Sequence, residues 1–112
     1  MKVNKEYIQG LLVREDVVGM HAVGRALMAV NKRQTYDERR DEQTKLHNLK
    51  GFTPGDAKRG TSMANFYSRR GYLTEKQVAY WRKTNVRGIP RISKYWRQLM
   101  EEAELKAQNS HN

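Results

Sequence analysis

Residues 56–81 read DAKRGTSMANFYSRRGYLTEKQVAYW, and this stretch predicts two helices joined by a tight turn. Asp56 has a side chain that suits a helix N-cap, and Gly71 suits the left-handed residue that ends a helix. Thr74, followed three residues later by Gln77, has the spacing of a capping box, which begins a helix. Because the connection is so short, the two helices must fold back or cross, in a loose likeness to a helix-turn-helix.

Helical signals continue on both sides of this stretch, and no segment alternates between apolar and polar residues as a strand does. Asn4 and Asp16 suit the N-caps of two earlier helices, and Thr35 with Glu38 has the spacing of another capping box. Pro90 suits the first turn of a last helix. We therefore expect helices at about 4–13, 17–34, 36–47, 56–70, 74–86 and 90–107.

The predicted fold class is all-α, a compact single-domain bundle of five or six helices. A chain of 112 residues has room for one domain with one modest core. We place that domain at 1–107, with a frayed tail at 108–112. In the loop at 47–55, Phe52 is expected to pack against the core. Gly19 and Gly24 either weaken the second helix or mark the close approach of a neighbouring helix.

Composition excludes several classes of protein. The chain has no cysteine, so it contains neither disulfides nor thiolate metal sites. No apolar run approaches the roughly 18 residues of a membrane span, and the first residues lack the apolar segment of a signal peptide. We therefore expect a soluble, cytoplasmic protein with no membrane partner and no cofactor.

The positive charge is concentrated in residues 58–97. This stretch holds eleven Lys or Arg and one acid, Glu75, whereas the other residues hold eleven bases and eleven acids. It also holds seven aromatic residues. Because Lys and Arg meet phosphates and flat rings stack on bases, this composition indicates a surface that binds a polyanion. The polyanion is DNA or RNA in the first hypothesis, and an acidic protein surface is the alternative.

The spacing of these residues predicts which of them share a face. On the expected helix at 74–86, four side chains are separated by four, three and four residues, which places them on one stripe. On the last helix, three bases follow each other at intervals of three. The predicted binding residues are Lys58, Arg59, Arg69, Arg70, Lys76, Tyr80, Lys83, Arg87, Arg91, Lys94 and Arg97.

The aromatic residues divide into two groups by their expected exposure. Trp81 and Trp96 are expected to be buried, and Tyr72, Tyr80 and Tyr95 are the better candidates for exposure.

A second group of polar residues, Asp37, Glu38, Glu42 and His47, could suggest a metal site or a nuclease centre. Helix caps and pairs within one helix account for these residues better, because the carboxylates and the histidine do not share a face. No second histidine follows at a workable spacing, and no phosphate loop or nucleophile elbow is present. We therefore predict neither catalysis nor a bound metal.

Short motifs follow one another in a fixed order at about 25–84: Arg33-Gln34-Thr35, Asp37-Glu38, Thr44, His47-Asn48, Gly51-Phe52, Asp56-Ala57, Ser62, Tyr67, Arg70-Gly71, Leu73 and Lys76-Gln77. This pattern resembles a small accessory domain met in many uncharacterised phage and bacterial proteins. The chain departs from it where Leu49-Lys50 stand in place of a dipeptide that contains glycine. The resemblance implies a setting, a phage-encoded accessory protein in the cytoplasm of a bacterial host, and no activity.

Two functions are compatible with these observations. The first is a non-catalytic protein that binds nucleic acid through its basic surface. The second is a phage inhibitor or adaptor of the anti-defence type, which takes part in host takeover by docking on a host protein complex. A hydrolase acting through the polar group around Asp37 is a third and weaker hypothesis. Self-association through the helix at 17–34, which carries several apolar side chains, stays open.

Overall fold

The computed structural model describes residues 4–40 and 51–109, with the side chains of 34–40 and of Asn109 excepted. Over this part of the chain it contains five α-helices and one short 3₁₀ helix, and no strand longer than an isolated bridge. The α-helices are α1 (Lys5–Leu12), α2 (Val17–Arg40), α3 (Ala57–Arg70), α4 (Glu75–Arg82) and α5 (Trp96–Asn109), and the 3₁₀ helix is Arg91–Tyr95. The radius of gyration is 13.9 Å, close to about 13 Å for a compact domain of this length. The all-α bundle predicted from the sequence is confirmed.

The first two helices begin at the predicted caps. The Asn4 side chain accepts a hydrogen bond from the Tyr7 amide at 2.9 Å, and the Asp16 side chain accepts one from the Gly19 amide at 3.1 Å. Each cap satisfies an amide that has no partner within the first turn. Ile8 and Leu12 form the buried side of α1.

The second helix is longer than the sequence predicts. It runs without a break from Val17 to Arg40, so both the boundary at Gln34 and the N-cap at Thr35 are wrong. Adding residues to an existing helix is easier than nucleating a new one, and neither Gly nor Pro interrupts residues 25–40. The rest of the helix predicted at 36–47, from residue 41 onward, lies outside the described residues.

The core forms where α2 crosses α3 and the C-terminal elements close over both. Val23, Leu27 and Val30 of α2 are fully buried, and so are Trp81 of α4 and Ile92 of the 3₁₀ helix. The Trp81 indole donates its N–H to the Met63 sulfur at 2.9 Å, which ties α4 to α3. Trp81 was expected to be buried, and that prediction is confirmed.

Gly24 and Gly60 allow helices and loops to approach closely. A Cβ atom at Gly24 of α2 would come closer than 3.0 Å to the Tyr67 ring of α3, and one at Gly60 would meet the Phe52 ring as closely. Gly24 therefore marks the approach of a neighbouring helix, which was one of its two predicted roles. Phe52 is buried and packs against the core, as expected of the loop before α3.

The turn between α3 and α4 follows the sequence closely. Gly71 has a positive φ of 78° and ends α3 in the left-handed conformation. The capping box is complete, since the Gln77 amide donates to the Thr74 hydroxyl at 3.2 Å and the Thr74 amide donates to the Gln77 side chain at 2.9 Å.

Beyond α4 the structure differs from the prediction. The helix ends at Arg82 instead of about Val86, and residues 83–91 form a tight hairpin closed by the antiparallel bridge between Thr84 and Pro90. The Asn85 side chain accepts hydrogen bonds from two hairpin amides and so competes with continued helix. Pro90 is extended and precedes the 3₁₀ helix, and α5 ends at Asn109, two residues beyond the predicted boundary.

The contact of Gly24 with Tyr67 gives a test of helix packing. Replacing Gly24 with Ala should destabilise the fold by about 1–3 kcal/mol, because the added methyl forces α2 and α3 apart. Gly10→Ala in α1 is the matched control, since no atom lies within 4 Å of a Cβ there. The control should gain up to about 1 kcal/mol from helix propensity. Urea denaturation measures both changes, and equal effects of the two substitutions would contradict the packing.

Candidate polyanion-binding surface

A buried carboxylate lies at the centre of the predicted surface. Asp56 occupies the N-cap position of α3 but makes no capping hydrogen bond, and its side chain is 1% exposed. It accepts from Arg91 Nη1 at 3.2 Å, from Lys94 Nζ at 2.8 Å and from the Tyr95 hydroxyl at 2.5 Å. Side chains three apart lie nearly in line on a 3₁₀ helix, which is why Arg91 and Lys94 reach the same carboxylate.

Both acids in this network have shifted pKa values. Burial raises the pKa of Asp56, but hydrogen bonds from Lys94 and Tyr95 and the nearby positive charge outweigh burial and leave the pKa below its ordinary value. Burial, together with the hydrogen bond to Asp56, raises the pKa of the Tyr95 hydroxyl. Tyr95 therefore stays protonated and Asp56 stays charged at neutral pH.

The Tyr80 ring holds two guanidinium groups beside this carboxylate. The Arg91 guanidinium carbon lies 4.4 Å from the ring centre, and that of Arg59 lies 5.0 Å from it. Residues from α3, α4 and the 3₁₀ helix therefore meet here. We call Asp56, Arg59, Tyr80, Arg91 and Lys94 the basic cluster. Its three cations outnumber its one carboxylate by two.

The hairpin continues from the basic cluster. The Arg91 amide donates to the Lys83 carbonyl at 2.9 Å, so the two residues face each other at the base of the hairpin. Arg87 lies in its exposed turn. The predicted stripe on α4 is therefore wrong in its second half, because the helix ends before Lys83. Only Lys76 and Tyr80 of that stripe lie on the helix.

The other predicted residues make their contacts elsewhere. Lys58 is exposed beside Arg59 in the first turn of α3. Arg69 and Arg70 are exposed at the opposite end of that helix, about 15 Å away along its axis. The Arg70 guanidinium lies 5.9 Å from the Phe66 ring centre.

Arg97 contacts a further aromatic ring on α5. Its guanidinium carbon lies 5.3 Å from the Trp96 ring centre, and Lys5 of α1 lies 5.1 Å from the same ring. Trp96 is half-buried between them, where the sequence predicted burial.

The exposure of the tyrosines is confirmed for Tyr72 and wrong for Tyr95. Tyr95 is 2% exposed because its hydroxyl bonds to Asp56 and to Thr53, and its ring packs edge-on against Phe52. Tyr72 is exposed, and Tyr80 is half-buried beneath its two guanidinium groups.

Three of the eleven bases of residues 58–97 have ion-pair or hydrogen-bond partners for their side chains. Arg91 and Lys94 pair with Asp56, and Arg82 donates to the carbonyls of Leu12 and Arg14. The sequence predicted neither the ion pairs with Asp56 nor the hydrogen bonds of Arg82, since the partners in both cases are distant in the chain. The remaining eight bases are exposed, and within the described residues no ion pair neutralises them: Lys58, Arg59, Arg69, Arg70, Lys76, Lys83, Arg87 and Arg97.

A groove of about 570 Å³ opens between α4 and the start of α2. Its floor is apolar, and its rim carries Glu15, Asp16 and Glu75 together with Arg82 and Lys83. Three carboxylates make this groove a poor site for phosphate.

The described residues contain no group of His, Asp and Glu that could hold a metal ion. The side chains of Asp37, Glu38, Glu42 and His47 lie outside the described part of the chain, so the hydrolase hypothesis gains no test here. Among the described helices, none is both long enough and apolar enough to cross a membrane.

Comparison with known proteins identifies no relative: the chain matches no family model, no curated protein and no solved structure. The resemblance to a phage and bacterial accessory domain therefore stays a prediction. The function has to be argued from the residues of this chain.

The buried carboxylate gives a second test. Asp56→Asn should destabilise the fold by about 2–3 kcal/mol, because it removes two ion pairs from a buried site whose cations are partly exposed. Urea denaturation at pH 7 measures the loss. Glu104→Gln is the control, since Glu104 is exposed, and it should change stability by less than about 0.5 kcal/mol.

The natural protein and Asp56→Asn, compared at several pH values, also test the pKa of Asp56. A carboxyl whose folded pKa is depressed stabilises the fold above its unfolded pKa of about 3.9, and this contribution is lost as pH falls through the folded value. The stability difference between the natural protein and Asp56→Asn should therefore be constant from pH 7 to about pH 5 and shrink below about pH 4. A difference that does not change with pH would contradict a charged Asp56.

Proposed function

We propose that this protein binds nucleic acid without catalysis, through the cations that surround the basic cluster and the adjoining hairpin. The observation that carries the proposal is the group of exposed bases at the basic cluster and the hairpin that no described carboxylate neutralises: Lys58, Arg59, Lys83 and Arg87. A surface with so many unpaired cations attracts phosphate, and each phosphate bound releases counterions.

The basic cluster favours phosphate binding because its arginines are held in place. Arg59 and Arg91 lie against the Tyr80 ring, and Asp56 fixes Arg91 from the other side. A guanidinium that is already ordered loses less conformational entropy when it binds a phosphate. Asp56 neutralises only part of the charge, so the cluster remains positive.

The aromatic residues favour contacts with the phosphate backbone over stacking on single-stranded bases. Trp81 and Tyr95 are buried, and guanidinium groups lie over the Tyr80 ring. Among the described aromatic residues of 58–97, Tyr72 is the most exposed, at 45%. One open ring is a small platform for a single strand, which usually stacks several successive bases. Duplex DNA is therefore the form of nucleic acid that we favour.

A second candidate is an adaptor or inhibitor that docks on a host protein. The observation in its favour is the groove beside α4, which has an apolar floor and a rim of three carboxylates and two bases, next to the exposed Val17 and Val18 at the start of α2. A basic, apolar segment of another protein would suit it. That this adaptor is encoded by a phage and works in the cytoplasm of a host rests on the motif pattern alone.

The salt dependence of binding to a duplex oligonucleotide tests the first candidate. The logarithm of affinity should fall linearly with the logarithm of salt concentration, with a slope near −0.9 for each phosphate contacted. Replacing Arg59, Lys83 and Arg87 together with Ala should weaken binding and make the slope shallower by about 2–3. These side chains are exposed, so the fold should remain intact.

The matched control removes the same charge elsewhere. Arg25, Lys32 and Lys106 are exposed on α2 and α5, and their joint replacement with Ala should leave the slope nearly unchanged. Equal weakening by both triple variants would mean that total charge matters and the proposed surface does not. Capture of a host protein that survives nuclease treatment, with no measurable affinity for DNA or RNA, would favour the adaptor instead.

A further inference from the structure

The hairpin at 83–91 is exposed, yet several hydrogen bonds cross it. The Asn85 amide donates to the Ile89 carbonyl at 2.9 Å and the Gly88 amide to the Asn85 carbonyl at 2.9 Å. The Asn85 side chain accepts from the amides of Arg87 at 2.8 Å and Ile89 at 3.1 Å. Gly88 supplies the positive φ, 78°, that so tight a turn requires. These bonds favour this conformation of the turn.

The hydrogen-bonded turn presents an apolar side chain and a cation next to each other. Val86 is 103% exposed, the most exposed of the large apolar side chains described, and Arg87 follows it directly. The base of the hairpin at Lys83 and Arg91 adjoins the basic cluster. An apolar tip with cations behind it suits a nucleic-acid duplex, in which the apolar faces of the stacked bases lie between two rows of phosphates.

The short helix α4 is poorly suited to reading the major groove. Val78 and Trp81 are buried and Tyr80 is half-buried, so its exposed polar side chains near the turn are those of Glu75 and Lys76. A recognition helix presents several donors to base edges, and a carboxylate at its start would repel the phosphates. The loose helix-turn-helix likeness therefore does not extend to this mode of binding.

We propose, on the basis of the proposed function, that the hairpin tip enters the minor groove of duplex DNA, with Arg87 in the groove and Val86 wedged against a base step. The minor groove of B-form DNA is about 6 Å wide and admits side chains where it does not admit a helix. Arginine is attracted to its negative potential. Apolar wedges unstack a base step and bend the duplex, which brings more phosphates to the cations behind the tip.

The experiment uses an A·T-rich duplex labelled at both ends, with energy transfer reporting the bend and anisotropy reporting affinity. The natural protein should bend the duplex, and a minor-groove ligand such as netropsin should displace it. Val86→Ser should bind about tenfold more weakly and lose most of the bend. Leu105→Ser is the control, because Leu105 is an apolar side chain that is 51% exposed near the end of α5, outside the hairpin and the basic cluster, and it should keep both affinity and bend.

The outcomes separate the two proposals. Binding to the duplex that netropsin does not affect, or a bend that Val86→Ser retains, overturns the minor-groove inference and leaves nucleic-acid binding standing. Equal binding to a double-stranded RNA of the same sequence also overturns it, because the wide, shallow minor groove of A-form RNA offers no such fit. No binding to any duplex or single strand, of DNA or RNA, at low salt overturns both proposals.

Discussion

The buried carboxylate of Asp56 is the constraint on which the C-terminal half depends. A charge in a site that is 1% exposed is tolerated only if it is paired and hydrogen-bonded. Three donors from the 3₁₀ helix satisfy it, so the start of α3 and the segment 91–95 are held together. The hairpin ends at Arg91, and its position relative to α3 follows from the same contact. The arrangement of cations around the hairpin is therefore a consequence of one acid.

The bases of the C-terminal half divide into structural and exposed sets. Arg82 bonds to the carbonyls at the end of α1 and fixes the loop before α2, while Arg91 and Lys94 neutralise Asp56. The eight exposed bases contribute little to the packing of the core, which consists of α2, α3, Trp81 and Ile92. The proposed function assigns these exposed cations, which the core does not need, to an anionic partner.

Local signals in the sequence were sufficient where the structure depends on local contacts. Asn4, Gly71 and the pair of Thr74 and Gln77 each act within one helical turn, and each lies where it was predicted. Competing local signals were harder to rank. Thr35 has the pattern of a cap, yet α2 continues through it, because extending a helix is easier than nucleating a new one.

The candidate surface was predictable in composition and less so in geometry. The excess of bases in residues 58–97 identified the region, but the stripe on α4 relied on a helix that stops before Lys83. For Asp56 the sequence predicted only an N-cap. Its three donors lie 35 to 39 residues further along the chain, so its ion pairs could not be predicted. Pairing at that separation leaves no local signal in the sequence.

Chemical-shift perturbation gives the most direct test of where a polyanion binds. Adding a short DNA duplex to ¹⁵N-labelled protein at low salt should shift the amides of 83–91 and the first turn of α3, together with the Nε–H groups of Arg59 and Arg87. The chemical shifts of the amides of α1 and of the start of α2 should not change. Shifts confined to the groove between α2 and α4, or no shifts at all, would contradict the binding surface described above.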